Sequence, residues 1–374
     1  MKTKQTQNIC KHYDLGILLA DSIAQISGGL LHKIWRIETT KGKYAVKELN
    51  QFVLDYYYTP KNYILTEIIA RSMLEMGIPA NVALLPPGDD STPLFKSDNS
   101  YYMVFDWVEG QILTPSKITK QHAEIIGKLL ARMHSLPKSI TAFTLPHFLE
   151  HYGPSDKSDP HANQDWQSLI SSIAPANPLF AGKLKKQLQS FLSLEEATQK
   201  LTFNECFVIS HRDLFIKNVS WLGLSPTIFD WELTCPVHPM KDLFAVAYNW
   251  STQVPNKIDY DIFDAIVDGY KQIAEVSEEF IITPLTIIPG RLHWLKFNLQ
   301  RSLLNIIPTD DEGKKTAALE EANFEFDRLC YFPTAIQELH SHLHKALRPP
   351  QAQPDPEADR ATEADAGPSM YNHS

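Results

Sequence analysis

The chain has 374 residues, of which 43% are hydrophobic and 21% charged, with a formal net charge of −9. Such a composition buries a sizeable core and suits two lobes or one large domain. The acidic balance and the lack of an arginine-rich run argue against a nucleic-acid binder, and an acidic surface suits a cationic small substrate.

The N-terminus, MKTKQTQNICKHYDLG, has no apolar core of the kind a secretory signal needs. No stretch is long and apolar enough to span a bilayer, and residues 280–290 are interrupted by proline. A soluble, cytoplasmic protein is expected. Cys10, Cys206, Cys235 and Cys330 are far apart and form no CxxC pair, so neither a zinc site nor a disulfide framework is indicated.

Residues 23–50 read as strands joined by turns at Gly28-Gly29 and Lys41-Gly42. Residues 62–77 read as a helix, with Ile64, Ile68, Met73 and Met76 as its apolar positions and Gly77 as its stop. Residues 101–108 form an apolar strand that ends at Glu109-Gly110. The segment 116–137 carries Ile118, Ile125, Ile126, Leu129, Leu130 and Met133 at helical spacing. Residues 142–180 are rich in Pro, Ser and Asp and read as a long loop or insertion. Helical patterns return at 181–200, 259–277, 291–306 and 315–345, with short strands near 207–210, 217–221 and 226–230. The expectation is an α+β chain: a sheet-rich lobe over 1–106, a mainly helical lobe over 107–345, and an acidic Pro/Ala-rich disordered tail over 346–374.

The informative stretch is 208-VISHRDLFIKNVSW-221, followed by 227-TIFDWE-232. A carboxylate such as Asp213 can orient a hydroxyl and accept its proton during phosphoryl transfer. Asn218, five positions on, can offer its side-chain oxygen to a metal, and Asp230 follows after a short apolar strand. Magnesium favours such oxygens together with phosphates. Singly, each of these residues reads as a loop cap or Asx-turn; at this spacing, among apolar strand residues, they read as a catalytic loop and a metal aspartate. His211 is expected to hold the loop backbone. Upstream, 44-YAVKEL-49 places Ala45 and Lys47 on one strand face, the small side chain leaving room for an adenine ring and the lysine reaching phosphates. Glu67, on the next helix, is the expected carboxylate partner of Lys47.

HRD-x4-N, the strand lysine and the helix glutamate resemble the bilobal protein-kinase-like fold. More narrowly, the chain resembles the aminoglycoside phosphotransferase and choline-kinase-like family of small-molecule kinases, in motif order over residues 15–305. The metal motif is 230-DWE-232, and only eleven residues separate Asp230 from Asp242, too few for a protein-kinase activation segment. The phrase 130-LARMHSLP-137 also resembles that family. The resemblance implies a Mg2+-dependent kinase using ATP, or GTP as the alternative, and acting on a hydroxyl of an amino sugar, a choline- or thiamine-like alcohol or a related small molecule. It implies Phe105 at the back of the nucleotide pocket, the backbones of Asp106 and Val108 on the adenine, and Asp242 bracing the catalytic loop. Two departures stand out. Arg212 replaces the family's usual glycine, and the glycine-rich loop is reduced to Gly28-Gly29 after Ser27.

On the acceptor side the candidates are Asp261, Asp264 and Asp268, and His293, Trp294 and Asn298, with Glu232 beside the metal aspartate. HRD leaves a protein acceptor open, and a non-catalytic nucleotide-binding protein is the third reading. The chain keeps the lysine and both aspartates that such proteins typically lack.

Overall fold

A computed structural model describes residues 1–26, 31–56, 58–88, 92–136, 165–254, 256–303 and 312–348. In chain order the first part comprises α1 (Thr3–His12), β1 (Ala24–Ile26), β2 (Lys33–Thr39), β3 (Gly42–Glu48), α2 (Gln51–Tyr56), α3 (Pro60–Glu75), β4 (Phe95–Ser97) and β5 (Ser100–Asp106). The strands make one antiparallel sheet in the order β1-β2-β3-β5-β4. Thr39 pairs with Gly42, so β2 and β3 are joined by a two-residue turn at Thr40-Lys41.

Helix α3 has signals at both ends. Thr59 and Asn62 form a reciprocal capping box, and Pro60 opens the first turn. At the other end Gly77 takes φ +80°, with Ile78 N–H donating to Met73 O and Gly77 N–H to Leu74 O. That is a glycine-terminated helix end, available without strain because glycine has no Cβ. The buried stripe is Leu65, Ile69 and Met73, while Ile68 and Met76 are exposed. Of the apolar positions that mark the helix in sequence, only Met73 among Ile68, Met73 and Met76 is therefore on the buried face. Tyr63, Thr66 and Glu67 share the buried face, and these residues do not register as apolar in the sequence.

The helical part contains β6 (Gln111–Ile112), α4 (Lys120–His134), α5 (Trp166–Ile173), α6 (Pro178–Thr198), β7 (Val208–Ser210), β8 (Val219–Leu222), β9 (Ser225–Ile228), β10 (Cys235–Val237), α7 (Pro239–Ser251), α8 (Tyr260–Lys271), α9 (Ile288–Ser302) and α10 (Glu312–Ala346). Part of the expected 142–180 loop is thus helix. In α5, Trp166, Leu169, Ile170 and Ile173 lie one helical face apart. Asp165 caps it, accepting from Ser168 N–H at 2.7 Å, and Ser171 and Ser172 donate back to carbonyls four residues earlier. Residues 142–164 of that expected insertion, and 349–374 of the expected tail, lie outside the described residues.

Helices α4 and α8 cross in close contact. A Cβ on Gly127 would overlap the Ile266 carbonyl oxygen, and one on Gly269 the Glu124 carbonyl oxygen. The main core runs from α3 through these helices to α7 and α10, so the α3 face is packed in continuity with the helical part. Among the described residues no helix is long and apolar enough to cross a membrane.

Candidate active site

The catalytic-loop residues lie between β7 and β8, in a loop closed by a 3-10 turn at Ile216–Asn218. β8 and β9 form a hairpin, and the chain then returns so that β10 pairs with β7. This path brings residues 211–218 and 229–232 side by side. Phe229 N–H donates to Asn218 O at 2.9 Å.

Asp213 is buried, and its Oδ2 accepts from Asn218 Nδ2 at 2.7 Å. The same Nδ2 donates to Asp213 O at 2.8 Å. With its NH2 group committed, Asn218 has its amide oxygen left for another partner. Lys217 Nζ stands 3.3 Å from Asp213 Oδ2. Burial pushes the Asp213 carboxyl up, Lys217 opposes the shift, and the Asp230 charge adds to it.

His211 is fully buried and burial pushes its imidazole down, so it is neutral. Its Nδ1 accepts from Asp213 N–H at 3.2 Å and its Nε2–H donates to Phe229 O at 2.8 Å. One ring thus ties the residue that carries Asp213 to the one before Asp230, as the loop-holding expectation has it. The Trp231 ring packs edge-on against His211 at 4.6 Å.

A second brace lies behind the loop. Asp242, in the first turn of α7, accepts from Arg212 Nη1 at 2.9 Å and stands 3.2 Å from His134 Nε2. Arg212 has φ +67°, a left-handed conformation uncommon for a residue with a side chain. Burial works against the Asp242 charge, but the His134 hydrogen bond and Arg212 outweigh it and hold the carboxyl well below the usual range. Trp250 Nε1 donates to Leu214 O at 2.9 Å from the same helix. His134 and Trp250 escaped the sequence reading as loop supports, because each sits in an apolar helix far from the loop in sequence.

Asp230 also has a left-handed backbone, φ +62°, and its side chain is 43% exposed. Its Oδ1 receives Lys47 Nζ at 2.9 Å. Lys47 and Ala45 sit opposite Met103 and Phe105 on the β3–β5 ladder, so all four share one sheet face. Phe105 is half-buried beside Ala45, Asp106 ends β5, and Val108 lies just beyond it. Gly110, at φ +137°, follows where a Cβ would crowd Ser220 and the Trp221 carbonyl. Only glycine admits that approach to β8 without strain.

The expected Lys47–Glu67 pair is not what forms. The ion-pair partners of Lys47 among the described residues are Asp230 and Glu232. Glu67 instead accepts from Ala83 N–H at 2.8 Å, and burial raises its carboxyl to about 7. Gly28 and Gly29 lie outside the described residues.

Of the acceptor-side candidates on the helices, Trp294 lies beside the loop, its ring 5.8 Å from Lys217 Nζ. Asn298 is buried and spends its side chain on Trp294 O and Arg301. Asp261 pairs with Lys120, and Asp264 with His342 and Lys345, on α4 and α10 rather than in the catalytic loop. His293 is exposed.

Asp230 and Asn218 present hard oxygen donors on adjacent strand ends, one carboxylate half open to solvent and one amide oxygen left by its own NH2 bonding. That donor set fits magnesium, which takes few protein oxygens and fills its shell with water and phosphate.

A phosphotransferase enzyme family model matches residues 22–276. Among solved structures, spectinomycin phosphotransferase in complex with ADP and spectinomycin superposes with a TM-score of 0.64 at 14% identity, over 91% of this chain and 99% of that one. A microcompartment-associated aminopropanol kinase gives 0.57 at 14%, over 93% and 99%. Choline kinase from Cryptosporidium parvum gives 0.51 at 13%, over 92% and 100%. At these identities the likeness carries the kinase-like α+β fold. No curated protein sequence matches the chain.

Proposed function

The chain belongs to the phosphotransferase enzyme family, and we propose that it is a Mg2+-dependent kinase moving the γ-phosphoryl group of ATP to a hydroxyl of a small molecule. The observation that carries this is the convergence of Lys47, Asp213, Asn218 and Asp230, drawn from β3, the catalytic loop and the turn after β9. Ala45, Phe105 and the backbones of Asp106 and Val108 form the adenine side of the nucleotide site, and GTP is the alternative nucleotide.

Asp213 orients the acceptor hydroxyl and takes its proton as the new oxygen–phosphorus bond forms and the bond to the ADP oxygen breaks. Its raised pKa moves it towards the range of a working base. Lys47 binds the α- and β-phosphates. Asn218 and Asp230 are the residues that would hold magnesium, which supplies neutralisation of the phosphate charge. Catalysis is then mostly positioning and charge compensation. The acceptor lies against Lys217, which stands beside Asp213, and against Trp294, whose ring stands beside Lys217. The partners of Asp261 and Asp264 lie elsewhere, so these carboxylates lend no support to a cationic acceptor.

The test is ADP release from Mg-ATP across aminoglycosides, choline, ethanolamine, thiamine, homoserine and common sugars, with Asp213→Asn run beside the wild type. Turnover that falls by about 10²–10⁴ in the variant is the expected result. A variant that turns over at the wild-type rate overturns the role of Asp213.

A further inference from the structure

Resting on the kinase reading above, we propose that Glu232 is the positioning carboxylate for Lys47, and that it holds the lysine from across the two lobes. The ammonium of Lys47 is buried on β3 and so requires anionic partners. It has two. Asp230 is the more open, at 43% side-chain exposure, and in the kinase reading it turns to the metal. Glu232 is 14% exposed and belongs to the 3-10 turn Trp231–Leu233, anchored by the buried Trp231. Its Oε1 faces Lys47, and its Oε2 accepts from His32 Nε2 at 3.1 Å.

His32 is itself fixed. Its Nδ1 accepts from Asn50 N–H at 3.0 Å, and Tyr63 Oη lies 3.1 Å from Nε2. Each oxygen of one carboxylate in the helical lobe therefore engages a different side chain of the sheet lobe. When Asp230 takes up the cation, Lys47 exchanges that partner for phosphate oxygens and keeps Glu232. Glu67 spends its Oε2 on the Ala83 N–H, and the ion pairs of Lys47 among the described residues go to Asp230 and Glu232. Burial of Glu67 also favours its neutral form.

The experiment measures affinity for the Mg2+ complex of a non-hydrolysable ATP analogue by calorimetry, in wild type, Glu232→Gln, Glu67→Gln, His32→Gln and Lys47→Met. A thermal melt of each variant and a Mg2+ titration at fixed nucleotide accompany it. Glu232→Gln, which keeps the shape and removes the charge, is expected to weaken nucleotide binding about ten-fold, a loss of about 1.4 kcal/mol. The expected changes are about three-fold for His32→Gln and less for Glu67→Gln, which can still accept from Ala83 N–H. Glu67→Gln matching Glu232→Gln overturns the assignment. So does Glu232→Gln acting only on the Mg2+ midpoint, which would make Glu232 a metal ligand. If Lys47→Met binds poorly and Glu232→Gln binds normally, only this assignment falls. Wild type that binds no nucleotide takes the kinase reading down with it.

Discussion

Replacing Asp242 by asparagine tests how far the catalytic loop hangs on one buried carboxylate. Asp242 is 3% exposed and faces Arg212 at 2.9 Å and His134 at 3.2 Å. The amide keeps one oxygen, presents an NH2 to the other partner and removes the charge. Deleting one member of a buried pair costs about 3–5 kcal/mol. The Arg212 side chain is 35% exposed, so water recovers part of its solvation, and about 2–3 kcal/mol is expected. With a urea slope of about 2–3 kcal/mol per molar, the unfolding midpoint falls by about 1 M. Turnover falls with it, because Arg212 adjoins Asp213.

The pH dependence has a definite sign. Asp242 is held below its unfolded value, so its stabilisation is complete above about pH 4 and is lost as pH falls towards the folded pKa. The gap between wild type and variant should be flat from about pH 5 to 8 and narrow below about pH 4. A gap under about 0.5 kcal/mol at pH 7, or one that widens on acidification, refutes the brace.

Glu67 has the opposite sign. Its carboxyl is raised from 4.5 to about 7, so the folded protein loses stability as pH rises through that interval. Glu67→Gln should therefore gain on the wild type by up to about 3 kcal/mol between pH 5 and 8, read from urea midpoints at the two pH values. Gly127→Ala should cost at least about 1–3 kcal/mol by forcing α4 off α8, seen as a lower melting temperature. Trp250→Phe should leave the Leu214 carbonyl without its indole donor, for about 1–3 kcal/mol in urea unfolding and a lower kcat. Activity that depends on ionised Asp213 should fall on acidification at a pH above that of an ordinary aspartate near 4, and a kcat–pH profile checks this.

The catalytic loop was legible because its chemistry is local: Asp213 and Asn218 are five residues apart, and the next strand pair fixes where Asp230 lies. The strand lysine was legible from the alternation of β3. The α5 helix was not, because its serines suggest a loop until their hydroxyls are seen to donate back along the helix.

What the amino-acid order determined by itself was the α+β class, a sheet-rich part ahead of a mainly helical one, and the candidate residues for the chemistry, all set by short-range periodicity, spacing and family motifs. Only the tertiary structure decided which charges meet. Glu67 and Glu232 are both carboxylates that could answer Lys47, and nothing local distinguishes them. The choice comes from packing: α3 aims Glu67 at the Ala83 backbone, while the turn after β9 carries Glu232 across to β3. The strength of an ion pair depends on distance and burial, and contacts between residues so far apart in sequence are set only when the lobes come together.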